Sequence, residues 1–229
     1  MTLEEIRQAI SSCKINFDEL NTIASGTIKN SSNEDCNFFI TCGWDIVTAN
    51  IFNKNCKSFM IEQFDNILSL NLEEDKEKEI LNNIIYEDDH WDWFNKSISF
   101  KEDNYKWFFF FINNKPQAIC ITYNPKTSIL SNNNIFYIEY LAVAPWNRKN
   151  ALYEREYAGI GSKLIKFIQN YFIDQFGYNA GFSLHSLPQA TTYYLDNLRM
   201  QNIESEDKAN LKYFELSNEN AIALIGDII

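Results

Sequence analysis

The sequence predicts an α/β (α+β) protein, a mixed β-sheet with helices laid on its faces, and three observations carry that prediction. The first is the apolar run Ile135 to Val143, closed by Pro145 and followed after a polar loop by Tyr157-Ala-Gly-Ile-Gly-Ser-Lys-Leu-Ile165. A strand stops where proline withholds its N–H, and a glycine-flanked turn then opens an amphipathic helix. The second is the pair Trp107–Ile112 and Gln117–Thr122 around Asn113-Asn-Lys-Pro116, whose turn-forming residues predict a β-hairpin. Its first strand lacks polar alternation, which places cover on both faces. The third is the spacing Leu164, Ile168, Phe172, Phe176, which is helical and stops at Gly177.

The remaining elements follow in order. Leu3, Ile6 and Ile10 keep helical spacing and Phe17 to Ile23 reads as a second short helix, so residues 1–35 are expected to form an N-terminal helical extension. Asn37–Thr41 and Asp45–Ile51 are apolar, β-branched patches that read as strands. Met60, Phe64, Ile67 and Leu68 make one helix face. Ile80, Leu81, Ile84 and Ile85 make another, behind an acidic first turn at Glu73-Glu-Asp75 that suits the helix dipole. Gly181 to Ala190 reads as a short strand running into a helix with Pro188 in its first turn, continued through Thr191–Met200. A last strand is expected at Leu211–Leu216, then a short helix to Ile229.

Composition bounds the possibilities. A chain of 229 residues with 45% hydrophobic and 22% charged residues buries a sizeable core, and a single domain over 1–229 is expected. The net charge of −11 argues against a nucleic-acid-binding surface, which needs basic patches. It is compatible with cationic substrates such as amines. The five cysteines (Cys13, Cys36, Cys42, Cys56, Cys120) form no close pair, and reduced thiols in a cytoplasmic protein are the simplest account. The first ten residues are amphipathic rather than leader-like. Trp107–Ile112, the longest apolar run, is too short to span a bilayer, so no membrane partner is expected.

The glycine turn carries the chemistry. Glycines before a helix expose backbone N–H groups that no intrahelical carbonyl satisfies, and with the positive end of the dipole these suit a phosphate or pyrophosphate. A P-loop is excluded because the order here is Gly161-Ser162-Lys163 rather than Gly-Lys-Ser/Thr. A dinucleotide fingerprint is excluded because its third glycine falls on Leu164. An ordinary strand-to-helix turn remains the plain alternative.

Taken with Ala190, Tyr193-Tyr194 and Leu198-x-Met200 after the second strand, this ordered pattern resembles the GNAT superfamily of acyl-CoA N-acyltransferases over about residues 135–200. The resemblance implies a mostly antiparallel central sheet, splayed at its middle and flanked by helices on both faces, with 105–229 as the cofactor-binding core. It implies acetyl-CoA as cosubstrate and no metal. Backbone groups of Leu141, Ala142 and Val143 would pair with the pantetheine arm, and Ala158, Gly159, Ile160, Gly161 and Ser162 would form the pyrophosphate loop. Tyr194 would be the general acid and Glu139 the base or the residue that orders a water, with Tyr193 the competitor for the cleft-facing position. Four features depart from the family pattern: Glu156 where Gln or Arg is usual, a long loop from Pro145 to Gly159, Leu187 and Ser186 in place of an asparagine, and Arg199 in place of a glycine.

The resemblance therefore implies an N-acetyltransferase acting on a small-molecule or peptide amine by direct attack in a ternary complex. A non-catalytic acyl-CoA-binding or interaction module on the same fold is the alternative, and transfer of a longer acyl group is not separated from acetyl transfer. Elsewhere, Glu87-Asp-Asp-His-Trp-Asp-Trp93 looks superficially metal-binding, but its acidic groups are merely sequential. It reads better as a helix end near the acceptor mouth with Trp91 and Trp93 packed inward. His185 reads as a hydrogen-bonded structural residue and Cys120 as packing.

Overall fold

The computed structural model describes residues 2–84, 88–150 and 153–226. Among these, eight strands form one sheet: β1 (Thr22–Lys29), β2 (Asp35–Cys42), β3 (Tyr105–Ile112), β4 (Lys115–Thr127), β5 (Asn134–Val143), β6 (Phe182–Ser186), β7 (Gln201–Asn202) and β8 (Lys212–Glu215). Their hydrogen-bonded order is β1-β2-β3-β4-β5-β6-β8-β7. The β1–β2, β6–β8 and β7–β8 ladders are antiparallel and β5–β6 is parallel. Helices α1 (Leu3–Ile10), α2 (Ile46–Ser69), α3 (Glu74–Asn83), α4 (Trp93–Ser99), α5 (Ile160–Phe176) and α6 (Asn218–Gly226) complete a mixed α/β fold with a largely antiparallel sheet flanked by helices. The chain packs as two compact units: residues 1–101, 109–119 and 142–160, and residues 102–108, 120–141 and 161–229.

The first unit is built on aromatic cross-strand pairs. Phe38 stacks on Phe110 and Phe39 on Phe111, both at 4.8 Å between ring centroids, and Phe17 sets its edge on Phe39 and Phe111. Such pairs add about 0.5–1.5 kcal/mol each beyond the area they bury. The β3–β4 turn is held by Asn113 and Asn114, both with positive φ (49° and 61°), the left-handed pair that a two-residue hairpin loop requires. The expected hairpin is therefore present, with Pro116 already inside β4.

Two sequence expectations in this unit give way. Asp45–Ile51 is helical, because the Asp45 carboxylate accepts the Val47 N–H at 2.9 Å and the Thr48 hydroxyl, a cap that outweighs the β-branched preference of the residues behind it. The helical reading of 1–35 holds at α1, where Thr2 and Glu5 form a capping box. Phe17–Glu19 makes only a single 3₁₀ turn, and Thr22–Lys29 is drawn into the ladder with β2. On α2, Ile67 is buried while Phe64 and Leu68 are exposed. Helix α3 ends at Asn83, and Ile85 lies outside the described residues.

In the second unit α5 runs over the predicted residues. Leu164, Ile168 and Phe172 are buried, and Phe172 stacks on Phe136 of β5 at 4.5 Å, which in turn stacks on Phe182 of β6 at 5.4 Å. Gly177 ends the helix with φ +63°, its N–H on the Ile173 carbonyl. Thr191–Met200 is not an α-helix: Tyr193–Asn197 form a π-turn, in which the Leu198 N–H reaches the Tyr193 carbonyl at 3.2 Å. One extra residue per turn is a feature that hydrophobic spacing does not announce. Glu215 of β8 is wholly buried, its carboxylate accepting the Ser128 hydroxyl and the N–H groups of Ile129 and Leu130, each at 3.0 Å. These charge-assisted bonds fix the turn after β4.

Candidate active site

The β5–β6 ladder covers Phe136–Ile138 and Phe182–Leu184, and β5 then continues from Glu139 to Val143 beyond it. Glu139 and Leu141 are half-buried, and Ala142 is buried. Burial, and after it the charge of Glu139, raises the phenol pKa values of Tyr105, Tyr137 and Tyr140 on the second unit. Tyr137 also hydrogen-bonds His185 Nδ1 at 2.6 Å. His185 Nε2 lies 2.9 Å from the Glu206 carbonyl, so that nitrogen carries the proton and Nδ1 accepts from Tyr137. His185 is thus the hydrogen-bonded residue the sequence suggested.

At the end of β5, in the first unit, the Val143 carbonyl accepts from Arg148 Nε at 2.8 Å, and the Ala144 N–H donates to the Gln117 carbonyl at 2.8 Å. Several described residues of the long loop that follows are held by hydrogen bonds. The Gln117 side-chain oxygen accepts both Trp146 Nε1 (2.7 Å) and Asn147 Nδ2 (2.8 Å), all three residues being buried. Asn147 then accepts the Tyr157 N–H at 3.0 Å through its own oxygen. Arg148 makes a two-pronged ion pair with Asp88, both bonds 2.6 Å. In the sequence this loop, which carries Trp146 and Arg148, departs from the family pattern by its length. Their partners were invisible because Gln117 and Asp88 are about 30 and 60 positions away.

The loop delivers the chain to the glycine turn. Tyr157 is buried, bridging to Asn30 and donating its hydroxyl to Cys36 Sγ, whereas Ala158 and Gly159 are exposed. Gly159 has φ +76°, and the position its missing Cβ would take is open space. Helix α5 begins at the buried Ile160 and continues through the half-buried Gly161 and Ser162.

Within the second unit Ser162 Oγ and the Tyr193 hydroxyl are 2.7 Å apart, which joins the first turn of α5 to the π-turn. Tyr194 is buried, its ring edge against Tyr193 and its face tilted over Phe214; burial raises its phenol pKa, with smaller contributions from Tyr193 and Cys120. Arg199 holds φ +53°, the left-handed conformation, at the place where the family pattern has its glycine. The acidic Asp88–Trp93 stretch leads into a helix start rather than a helix end: Asp92 caps α4, and Trp93 is buried while Trp91 is half-exposed. Among the described residues no three His, Cys, Asp or Glu side chains gather as a metal site would require. None of the described helices is long and apolar enough to cross a membrane.

Neither a protein-family model nor a curated protein matches the chain. Solved structures do. An uncharacterised protein from Bacillus halodurans aligns with a TM-score of 0.50 at 11% identity, over 90% of this chain and 97% of its own. The PaiA N-acetyltransferase of Thermoplasma acidophilum, solved with coenzyme A, aligns at 0.41 and 9% identity over 77% and 97%. An aminoglycoside N(6′)-acetyltransferase of Legionella pneumophila aligns at 0.39 and 14% over 57% and 74%. At such identities the likeness is one of fold.

Proposed function

We propose that the chain is an acetyl-CoA-dependent N-acetyltransferase, with its pyrophosphate site at the start of α5. The observation that carries this reading is Gly159: exposed, left-handed, and open where a side chain would project, immediately before a 17-residue helix. Backbone N–H groups aimed outward from such a turn meet an anion without steric hindrance. The resemblance over residues 135–200 supplies the kind of anion, and the thioester of the bound cosubstrate supplies an activated acyl group. The stretch of β5 beyond its ladder, Glu139–Val143, offers backbone groups for the pantetheine arm. The Val143 carbonyl already serves Arg148, so N–H groups there and at Leu141 are the better candidates.

The resemblance supplies the residue roles. Glu139 takes the amine proton, directly or through a water. Backbone N–H groups near Leu141 polarise the acyl carbonyl. Tyr194 gives its proton to the departing thiolate, since burial keeps the phenol neutral and Tyr193 is committed to Ser162. Calorimetric titration of Gly159→Asp with acetyl-CoA tests the reading, with Gly159→Asn as control. Both side chains tolerate positive φ better than most, but only Asp adds a negative charge. Binding is expected to vanish in Gly159→Asp and to survive, weakened, in Gly159→Asn. Unchanged affinity in a folded Gly159→Asp protein sinks the assignment.

A further inference from the structure

We propose that the exposed face on the C-terminal half of α2 is a docking surface for a partner polypeptide that presents a basic amphipathic helix. The surface lies within the first unit and is independent of the transferase reading. In this half of the helix Ile67 is fully buried, whereas Ile61, Phe64 and Leu68 are 60%, 42% and 60% exposed, and Leu70 just past the helix end is 55% exposed. Large apolar residues scattered singly over a surface are ordinary, but a contiguous patch of them marks an interaction site. Ile61, Phe64 and Leu68 recur at i, i+3 and i+7, so they form one seam along the helix. That is the spacing against which a second helix packs.

Charge chooses the occupant. Glu62 and Asp65 are exposed on the same helix, and residues 61–87 hold eight acidic and two basic side chains, more than half of the chain's net charge of −11. Both basic ones are already engaged, Lys76 with Glu73 at 3.9 Å and Lys78 with Glu74 at 2.6 Å. Such a stretch attracts a cationic segment. A second copy of this chain fits less well. Asp65 borders the seam where interhelical ion pairs form in paired helices. Two copies laid antiparallel, seam on seam, would set their Asp65 carboxylates against each other, and two laid parallel would set Asp65 beside Met60. Sliding an antiparallel pair until Lys57 meets Asp65 would lay Lys54 over Leu68. A partner helix with Lys or Arg beside its own apolar stripe satisfies the seam and the carboxylate together.

Fluorescence anisotropy on the full chain tests this, with a labelled Leu/Lys peptide of about 18 residues, long enough to hold a helix and with its leucines at helical spacing. The controls are a shuffled peptide of the same composition and a Leu/Glu peptide of the same pattern. The patterned Leu/Lys peptide is expected to bind at least about tenfold more tightly than either control, and less tightly as salt rises. Ile61→Lys and Leu68→Lys stand at exposed positions, so the urea midpoint should hardly move while each weakens the peptide by about tenfold or more; Asp65→Lys should weaken it too. No binding of the patterned peptide, equal binding of the shuffled one, or affinity indifferent to Ile61→Lys and Leu68→Lys overturns the proposal. So does sedimentation that finds the protein alone in an Ile61-dependent dimer, which would give the seam to a second copy.

Discussion

Tyr193 and Tyr194 are chain neighbours in unlike surroundings. One is half-exposed and bonded to Ser162; the other is buried against Phe214. Tyr194→Phe keeps the ring and its packing, so the expected outcome is a fall in kcat of roughly 10²–10⁴-fold with stability little changed. Tyr193→Phe is expected to be much milder in kcat. Steady-state assays with a working acceptor decide it, and a larger loss in Tyr193→Phe would move the acid role by one residue. Arg199 makes a different point. An L-residue in the left-handed region costs about 1–2 kcal/mol relative to the right-handed one, and glycine does not. Arg199→Gly is therefore expected to raise stability by up to about 1 kcal/mol after the extra freedom of the unfolded chain is deducted, read as a higher urea midpoint. In the sequence, Leu198-Arg199-Met200 was visible only as a missing glycine. That the backbone keeps the glycine conformation regardless is a tertiary fact.

At the scale of elements, the best-read segments were those whose signal is local: the β3–β4 hairpin with its asparagine turn, β5 ending before Pro145, and α5 stopping at Gly177. The misread ones were decided by a single cap or by a distant strand. Asp45 turned an apparent strand into the start of α2, and β2 drew residues 22–29 out of an expected helix. The loop from Pro145 to Gly159 is legible in the sequence as long but its anchors are not, because Gln117 on β4, Asp88 and the first hairpin lie far away along the chain. Gln117→Leu would strand the buried Trp146 and Asn147 donors, each costing about 1–3 kcal/mol. The expected result is a large drop in the urea midpoint together with weaker acetyl-CoA binding, and Gln117→Glu, which keeps an acceptor, should recover part of both. Loss of stability with cofactor affinity intact would show that the loop does not position the glycine turn.

For the molecule as a whole, acidity has a consequence through His185. Burial lowers its pKa in the folded chain, partly opposed by the Glu206 carbonyl, and the Tyr137 bond requires a neutral Nδ1. The folded pKa lies below the unfolded value of about 6.5, so between the two the unfolded chain binds more protons. The stability that His185 contributes is present above about pH 6.5 and is lost as pH falls below it. Urea midpoints at pH 7.5 and 5.5 should fall more steeply for the parent protein than for His185→Gln; parallel slopes would mean that His185 is not coupled to folding. The mixed, largely antiparallel sheet and the strand-to-helix core are legible in the sequence, whereas the strand order and this histidine network are not, since the network's partners meet only through β5, β6 and the turn after β7.

The bridge between Asn30 and Tyr157 carries a last implication. Ser31 donates its N–H to the Glu156 carbonyl at 3.0 Å, and the Tyr157 hydroxyl ends on Cys36, so the residue two places before Gly159 is anchored by the first hairpin of the chain. Every motif that suggests an activity lies after residue 105, yet a polypeptide trimmed to that portion would lose the anchorage of its own glycine turn. The smallest heritable unit that holds this turn is then longer than its signature. A recombination event that moved the signature alone into another protein would carry the lettering without the hand that holds it in place.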